Sequence, residues 1–379
     1  MVGFSRGAFT ARTISSLIHD VGLLTPHGLG YFLSIFRAWE RQNQDKKDVD
    51  TAHLGTMSMT WSELQKRLKD TDLVRPDIKI KVCAVWDTVG SLGMPIAKSL
   101  LSKLSLNVID DNPNPYSFVN TEVCDNIEHA FHAIALDEHR VHFEPTIWEQ
   151  PDLNKWPRTL KQCWFTGYHT HIGGGNDTNN MLPNIALAWM MTQLKDFLAI
   201  DHSIIKADPR DAELAAALHL EGEANPDSGK SKHSIYLGVV FTFFLGEIQD
   251  SKVGWFEFDG FGQQGARTPS QYARTDPKTM KPKVPKELMV NTNETIHSSV
   301  RRRFWGKDLL HEHPYTSEAL RAWEPRADPP RWGSKQNIGL KDIPEEEMTE
   351  YELDIYKSWF PGFRSIEDFD LQQAQQATH

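Results

Sequence analysis

The chain has 379 residues, of which 39% are hydrophobic and 24% are charged, and this composition excludes an intrinsically disordered chain. The 41 basic and 51 acidic residues leave a net charge of −10, so we expect no nucleic-acid partner. Three cysteines, Cys83, Cys124 and Cys163, are too few for a disulfide framework.

Helical and strand patterns alternate along the chain, which favours an α/β fold with a mostly parallel sheet and helical insertions. Helices are predicted at 8–21, 31–45, 61–70, 121–136 and 185–198, and strands at 78–86 and 162–166. The first helix has apolar residues at helical spacing and ends at Gly22, a typical C-cap residue.

Composition divides the chain into three predicted parts: a core at 1–220, an insertion and C-terminal part at 221–330, and an acidic, partly ordered tail at 331–379. Residues 221–232 and 277–287 are predicted surface loops. The apolar run Ile235–Leu245 is shorter than the ~18 residues of a membrane span, and we predict a buried strand there. With no recognisable signal peptide, the expected location is cytoplasmic.

The segment Gly3-Phe4-Ser5-Arg6-Gly7 matches G-x-S-x-G and runs directly into a predicted helix. In such an elbow the serine occupies a tight strand-to-helix turn with unfavourable backbone angles, and the flanking glycines keep the turn clear. Ser5 is the candidate nucleophile. The backbone amide of Arg6, at the helix N-terminus, is the candidate oxyanion donor. A chance match is the alternative.

A nucleophilic serine needs a base and an orienting acid, which follow strand ends in the chain order Ser, Asp, His in α/β hydrolases. Asp87 follows the strand predicted at 78–86, and His169 follows the one at 162–166. The sequence therefore predicts a Ser5-Asp87-His169 triad. Asp87 as a turn or cap residue and His169 as a structural histidine are the alternatives.

Metal and cofactor motifs are weak in this sequence. Histidines form close pairs at 129/132, 139/142, 169/171 and 311/313, but neither H-E-x-x-H nor C-x-x-C occurs, so we expect no metal. The segment Gly260–Gly265 matches G-x-G-x-x-G without a helix pattern after it, and we interpret it as a loop. No cofactor is expected.

Six segments together resemble one family. They are Gly3–Arg12, Val85–Gly93, His132–Glu138, Trp164–Gly175, Ile185–Met190 and Glu294–Val300. The family is the phospholipase catalytic domain typified by bacterial type VI lipase effectors of the first class, and the loops look closer to its fungal members. The resemblance implies an α/β-hydrolase fold, the Ser5-Asp87-His169 triad, and phospholipid acyl esters as the substrate class.

Three differences from the family affect these expectations. Family members have a strand before the elbow and an Asp-Gly-Thr-x-Asn segment upstream, whereas this chain begins two residues before the motif. An N-terminally truncated sheet with weak or no activity is therefore expected. His171 stands where the family usually has Asp, two positions after the base. His297 also lies in a family segment and is the alternative base.

Two functions remain open from the sequence. The first is a serine esterase or phospholipase that acts on a lipid or small ester, with a peripheral membrane surface as a candidate partner. The second is a non-catalytic hydrolase-fold protein that acts as a binding module. The sequence leaves the oligomeric state and the enzymatic status undecided.

Overall fold

A computed structural model of the chain describes residues 1–40, 60–89, 122–140, 143–154, 158–175, 182–201, 248, 265–274, 285–305, 315–335 and 340–359. Several predicted features lie outside the described residues: the loop at 221–232, the strand at 235–245, most of the glycine-rich segment at 260–265, and the histidine pair 311/313.

Helices and strands alternate as predicted. The described helices are α1 (Arg6–Asp20), α2 (Pro26–Leu29), α3 (Phe32–Glu40), α4 (Trp61–Asp70), α5 (His169–Gly173), α6 (Leu182–Leu194), α7 (Ser298–Trp305) and α8 (Glu350–Trp359). The described strands are β1 (Val2–Phe4), β2 (Leu23–Leu24), β3 (Val74–Arg75), β4 (Ile80–Trp86), β5 (Ile127–Ala135), β6 (Thr159–Phe165), β7 (Glu294–His297), β8 (Trp323–Arg326), β9 (Arg331–Ser334) and β10 (Ile343–Glu346).

Eight strands form one mostly parallel sheet in the order β1-β4-β5-β6-β7-β10-β9-β8, and this confirms the predicted α/β-hydrolase-like sheet. β1 is parallel to β4, β7 is parallel to β10, and β9 is antiparallel to both of its neighbours. β2 and β3 form a separate antiparallel pair.

Backbone hydrogen bonds show that β5 and β6 are parallel. Where both strands begin, the Arg158 N–H donates to the Glu128 carbonyl (2.9 Å), and just past their ends the Leu136 N–H donates to the Phe165 carbonyl (2.9 Å). Contacts that join start to start and end to end are those of parallel strands. The carboxyl ends of β5 and β6 therefore lie at the same edge of the sheet.

The chain divides into two compact units. The first unit comprises Met1–His132, Val141–Gln162 and Thr268–Asn293, and the second comprises Ala133–Arg140, Cys163–Arg267 and Glu294–His379. In the first unit, α1, α3 and α4 bury an apolar cluster that includes Phe9, Leu17, Ile35, Trp39, Leu64 and Leu68. Among the described residues of the second unit, the largest fully buried side chains are Trp164, Phe165, Trp189, Trp323, Trp332 and Tyr356.

The helix predicted at 121–136 is wrong, because residues Ile127–Ala135 form strand β5. Six consecutive residues, 130–135, are buried in this strand. A strand covered on both faces lacks the alternation of a half-buried strand, so its pattern cannot be told from that of a buried helix.

Two further expectations differ from the structure at the ends of the chain. A strand does precede the elbow: Val2–Phe4 forms β1 and pairs with β4. The residues from 331 onward are also no appended tail where they are described, because β9 and β10 belong to the sheet and β10 pairs with β7. Ile343 in β10 and Tyr356 in α8 are fully buried.

Candidate active site

Ser5 occupies the turn between β1 and α1 with φ 58° and ψ −122°. The φ angle lies in the left-handed region, which costs a non-glycine residue of the order of 1–3 kcal/mol. Two backbone hydrogen bonds hold the turn: the Ser5 N–H donates to the Trp86 carbonyl (3.0 Å), and the Phe9 N–H donates to the Ser5 carbonyl (3.1 Å). The predicted tight strand-to-helix turn is therefore confirmed.

The two glycines of the motif differ in their environments. A Cβ atom at Gly3 would lie 2.5 Å from the Gly7 carbonyl oxygen and 2.7 Å from the Ala8 nitrogen. A Cβ atom at Gly7 would meet no described atom within 4 Å. The close approach of β1 to the first turn of α1 therefore requires a glycine at position 3, whereas the steric reason expected for Gly7 is wrong.

Arg6 is the first residue of α1, and its side chain is exposed. Backbone N–H groups in the first turn of a helix have no partner within the helix, and the helix dipole favours negative charge there. The Arg6 amide thus belongs to a helix N-terminus suited to an oxyanion. Its role as the oxyanion donor stays a prediction.

Asp87 directly follows β4 and is fully buried, with φ 37°. The register of the parallel strands pairs Phe4 with Trp86, so Ser5 and Asp87 are the next residues along two neighbouring strands. The structure therefore places the predicted nucleophile and the predicted acid at the same level of the sheet within the first unit.

His132, on β5, fixes the backbone that follows Asp87. The Thr88 N–H donates to His132 Nε2 (3.1 Å), and His132 Nδ1 lies 3.3 Å from Gln162 Oε1. Because Nε2 is an acceptor, the neutral ring carries its proton on Nδ1 and donates it to Gln162. Gln162 in turn exchanges two 2.8 Å hydrogen bonds with the backbone of Trp148.

Arg12 connects α1 to the segment that follows Asp87, by way of Thr146. Its guanidinium donates to the Thr146 carbonyl and lies over the Trp148 ring, 4.2 Å from the centroid. The Thr146 N–H donates to the Thr88 carbonyl (2.9 Å). Burial lowers the pKa of Arg12 to about 9, so the group still carries its charge at neutral pH. The helix that begins after Ser5 thereby supports the loop that carries Asp87.

His169 is a buried residue of the second unit and begins α5, after β6. Its backbone N–H donates to Glu138 Oε2 (3.3 Å). Two residues before it, Gly167 has φ 109°, and a Cβ atom there would lie 2.5 Å from the Cβ of His171. A glycine is therefore required where the chain turns from β6 into α5.

His171 is fully buried and packs on Tyr168, with ring centroids 4.0 Å apart. The Tyr168 N–H donates to His171 Nδ1 (3.3 Å). Burial lowers the pKa of His171 to about 4, the positive charge of Arg303 lowers it as well, and Glu138 opposes both effects. His171 is therefore neutral at physiological pH, and it adds no charge beside the candidate base.

His297, the alternative base, ends β7 in the second unit, and both of its ring nitrogens have partners. Nδ1 lies 2.8 Å from Ser299 Oγ and accepts from the Ser299 N–H (3.3 Å), while Nε2 lies 3.2 Å from Glu352 Oε1. Glu352 belongs to the first turn of α8, where it also accepts from the Thr349 N–H (2.9 Å). The contact between the His297 ring and Glu352 thus links α8 to strand β7 of the sheet.

Sequence reasoning missed three buried polar residues around the candidate triad: His132, Gln162 and Glu138. His132 lies in the segment 121–136 that was predicted to be helical, and Glu138 follows it by two residues, so their placement on a strand and just past its carboxyl end was hidden. The strand pattern around Gln162 gave no sign that its side-chain amide would hydrogen-bond to the backbone of two other segments, at Trp148 and Thr292. A buried polar side chain is recognisable only when its partners are known.

Metal ligation finds no support in the described part of the chain, where no group of three or more His, Cys, Asp or Glu side chains could hold a metal ion. Across the same described residues, every helix is too short or too polar to cross a membrane.

Comparison with known proteins identifies the family. Residues 1–193 match the family described as type VI secretion system (T6SS) phospholipase effector Tle1-like, catalytic domain. A stretch of 148 residues is 30% identical to Uncharacterized protein YEL023C of Saccharomyces cerevisiae and covers 38% of this chain but 17% of the yeast protein. No solved structure matches the chain. The matched residues include Ser5, Asp87 and His169, and the chain therefore belongs to the Tle1-like phospholipase effector catalytic-domain family.

Proposed function

We propose that the chain is a serine hydrolase that cleaves carboxylic esters, with Ser5 as nucleophile, Asp87 as orienting acid and His169 as base. The turn at Ser5 carries the proposal. It combines a left-handed φ of 58°, a half-buried serine side chain and the N-terminus of α1. Strained backbone of this kind concentrates at catalytic sites, and here it occurs at the residue that the chemistry needs.

The order of the strands supports the assignment of the other two residues. Asp87 follows β4, the parallel neighbour of β1, and His169 follows β6, which is two strands further along the sheet. In open parallel sheets, active sites are built outside the carboxyl ends of the strands. His297 is the weaker candidate for the base, because Ser299 and Glu352 already engage its two ring nitrogens.

In the proposed reaction, His169 takes the Ser5 hydroxyl proton while the serine oxygen bonds to the ester carbonyl carbon. The negative charge on the carbonyl oxygen develops near the first backbone N–H groups of α1, which include that of Arg6. The alcohol leaves with the proton from His169 and an acyl-enzyme remains. Water, deprotonated by His169, then releases the carboxylic acid and frees Ser5.

The proposed substrate class is a lipid acyl ester, supported by the phospholipase description of the family. A lipid surface as the site of action is supported by apolar side chains that the first unit exposes on α2 and α3: Leu29, Phe32 and Leu33. Phospholipid vesicles and a short-chain monomeric ester are therefore both suitable substrates for an assay.

The test is ester turnover together with labelling by a fluorophosphonate probe, which reacts with activated serines. We expect Ser5→Ala to abolish labelling, and Ser5→Ala, Asp87→Asn and His169→Gln each to lower turnover by about 10⁴-fold. Ser62→Ala, at an exposed serine of α4, is the matched control and should retain both signals. His297→Gln should keep its turnover per folded molecule.

Each contrary result has a definite meaning. Turnover that survives Ser5→Ala would contradict the assignment of Ser5 as the nucleophile. Turnover that survives His169→Gln but not His297→Gln would make His297 the base instead of His169. A folded wild-type chain that neither reacts with the probe nor turns over either ester would refute the proposed hydrolase activity. It would favour the alternative, a non-catalytic binding module.

A further inference from the structure

The Glu138 side chain is a buried carboxylate just past the end of β5, in the second unit. Arg140 binds it in a bidentate manner: Nε donates to Oε1 and Nη2 donates to Oε2, each at 2.8 Å. The Arg140 backbone N–H also donates to Oε1 (2.9 Å). A carboxylate held by three donors of one residue, two of them in a fixed fork, has little freedom to move.

Glu138 is ionised at neutral pH although it is buried. Burial by itself would raise the pKa of the carboxyl, but the hydrogen bonds and charge of Arg140 outweigh that effect, and the charge of Arg267 adds to them. The pKa of Glu138 is therefore lowered. A charged acceptor forms stronger hydrogen bonds than a neutral one, so the groups that donate to Glu138 are held firmly.

The segment after β5 binds the segment after β6 at two successive positions. The Asp137 carboxylate accepts from the Gly167 N–H (2.7 Å), and the Asp137 N–H donates to the Gly167 carbonyl (3.0 Å). One residue further, Glu138 Oε2 accepts from the His169 N–H (3.3 Å). These contacts fix the backbone on both sides of the turn from which the His169 side chain projects.

We infer that Glu138, locked by Arg140, is a positioning residue for the imidazole of His169 in ester hydrolysis. The inference rests on the proposed function, because it assigns a role relative to the base. Glu138 acts through the backbone of His169 rather than on the substrate. A displacement of about 1 Å in a reacting group is enough to lower a rate by ~10²-fold.

The experiment compares Glu138→Gln with Glu149→Gln in the full chain. Glu149 is a matched control in the first unit: it is also buried, its Oε2 lies 2.8 Å from Arg274 Nε, and it also accepts a backbone N–H, that of Val290 (3.2 Å). We expect Glu138→Gln to lower kcat by 10- to 100-fold with KM changed less than about threefold. Glu149→Gln should leave kcat per folded molecule unchanged, even though both variants lose stability.

A second readout is independent of catalysis. Amide hydrogen exchange in the peptide that contains His169 should become at least about tenfold faster in Glu138→Gln than in Glu149→Gln at equal global stability. Equal kcat values and equal exchange rates in the two variants would overturn the positioning role while Ser5-dependent turnover, and with it the proposed function, still stands. A wild-type chain without Ser5-dependent turnover would overturn both.

Discussion

His171 shows how one residue is accommodated where the resembled family usually has Asp. The ring is fully buried, accepts a backbone hydrogen bond from Tyr168, and leaves room only for a glycine at position 167. Because burial lowers its pKa to about 4, the ring stays neutral and its protonation would disrupt the packing around α5. Acidic pH should therefore destabilise the fold through protonation of His171.

We expect His171 to reduce stability as the pH falls. The unfolded chain binds a proton with a pKa near 6.5 and the folded chain with one near 4, so the unfolded state binds more protons between these values. The free energy of unfolding should then decrease by about 2 kcal/mol from this group between pH 7 and pH 5. Urea unfolding of wild type and His171→Asn at both pH values measures the difference.

In that experiment His171→Asn, although less stable at pH 7, should lose about 2 kcal/mol less than wild type on acidification. His27→Asn, at an exposed histidine of α2, should retain the wild-type pH dependence. Equal losses in wild type and His171→Asn would contradict the buried neutral ring.

At the scale of elements, some segments were predictable because their signals are local. The helix predicted at 61–70 is α4, whose start is fixed by a capping box between Thr60 and Glu63. Strand β5 was not predictable in this way, because burial of every residue from 130 to 135 leaves it without the two-residue alternation of a half-buried strand. The elbow is predictable only in part. The motif predicts a glycine at both position 3 and position 7, but only the packing of the folded chain shows that a side chain would clash at Gly3 and not at Gly7.

The packing of β1 on α1 predicts opposite effects for the two glycines. Gly3→Ala places a Cβ atom 2.5 Å from a backbone oxygen and should cost about 1–3 kcal/mol of stability, with turnover lowered ~10²-fold as Ser5 shifts. Gly7→Ala, within α1, should be stabilising by about 0.5 kcal/mol, since alanine is the better helix former. Thermal unfolding and ester turnover of both variants test this, and similar losses in the two would refute the distinction.

For the whole molecule, the C-terminal elements are part of the fold. β10 pairs with β7, and α8 contacts α6. Just past the end of α6, the Lys195 ammonium lies 5.0 Å from the centre of the Tyr351 ring in α8. The pairing of β10 with β7 joins residues about 50 positions apart, which no local pattern reveals. The acidic composition after residue 344 suggested a tail, but those acidic groups are partly neutralised inside the fold, as where Glu345 accepts from Arg301 (2.6 Å).

We therefore expect Ile343→Asp to destabilise the chain by 3 kcal/mol or more, because it buries an unpaired carboxylate in β10. Lys341→Asp, at an exposed position two residues earlier, changes the charge by more and should cost less than ~0.5 kcal/mol. Urea unfolding gives both values. An Ile343→Asp chain as stable as the control would show that β10 is dispensable.

The sequence by itself determined the α/β class, the elbow at Ser5 and the candidate triad, because strand-helix alternation and the G-x-S-x-G turn depend on a few neighbouring residues. The tertiary structure decided which polar groups lie next to these residues. His132, which contacts Gln162, accepts from the Thr88 N–H beside Asp87, Glu138 accepts from the His169 N–H, and Glu352 contacts His297. The reason is physical. A buried polar atom is stable only with a partner, and these partners come from segments that are distant in the chain and adjacent only after folding.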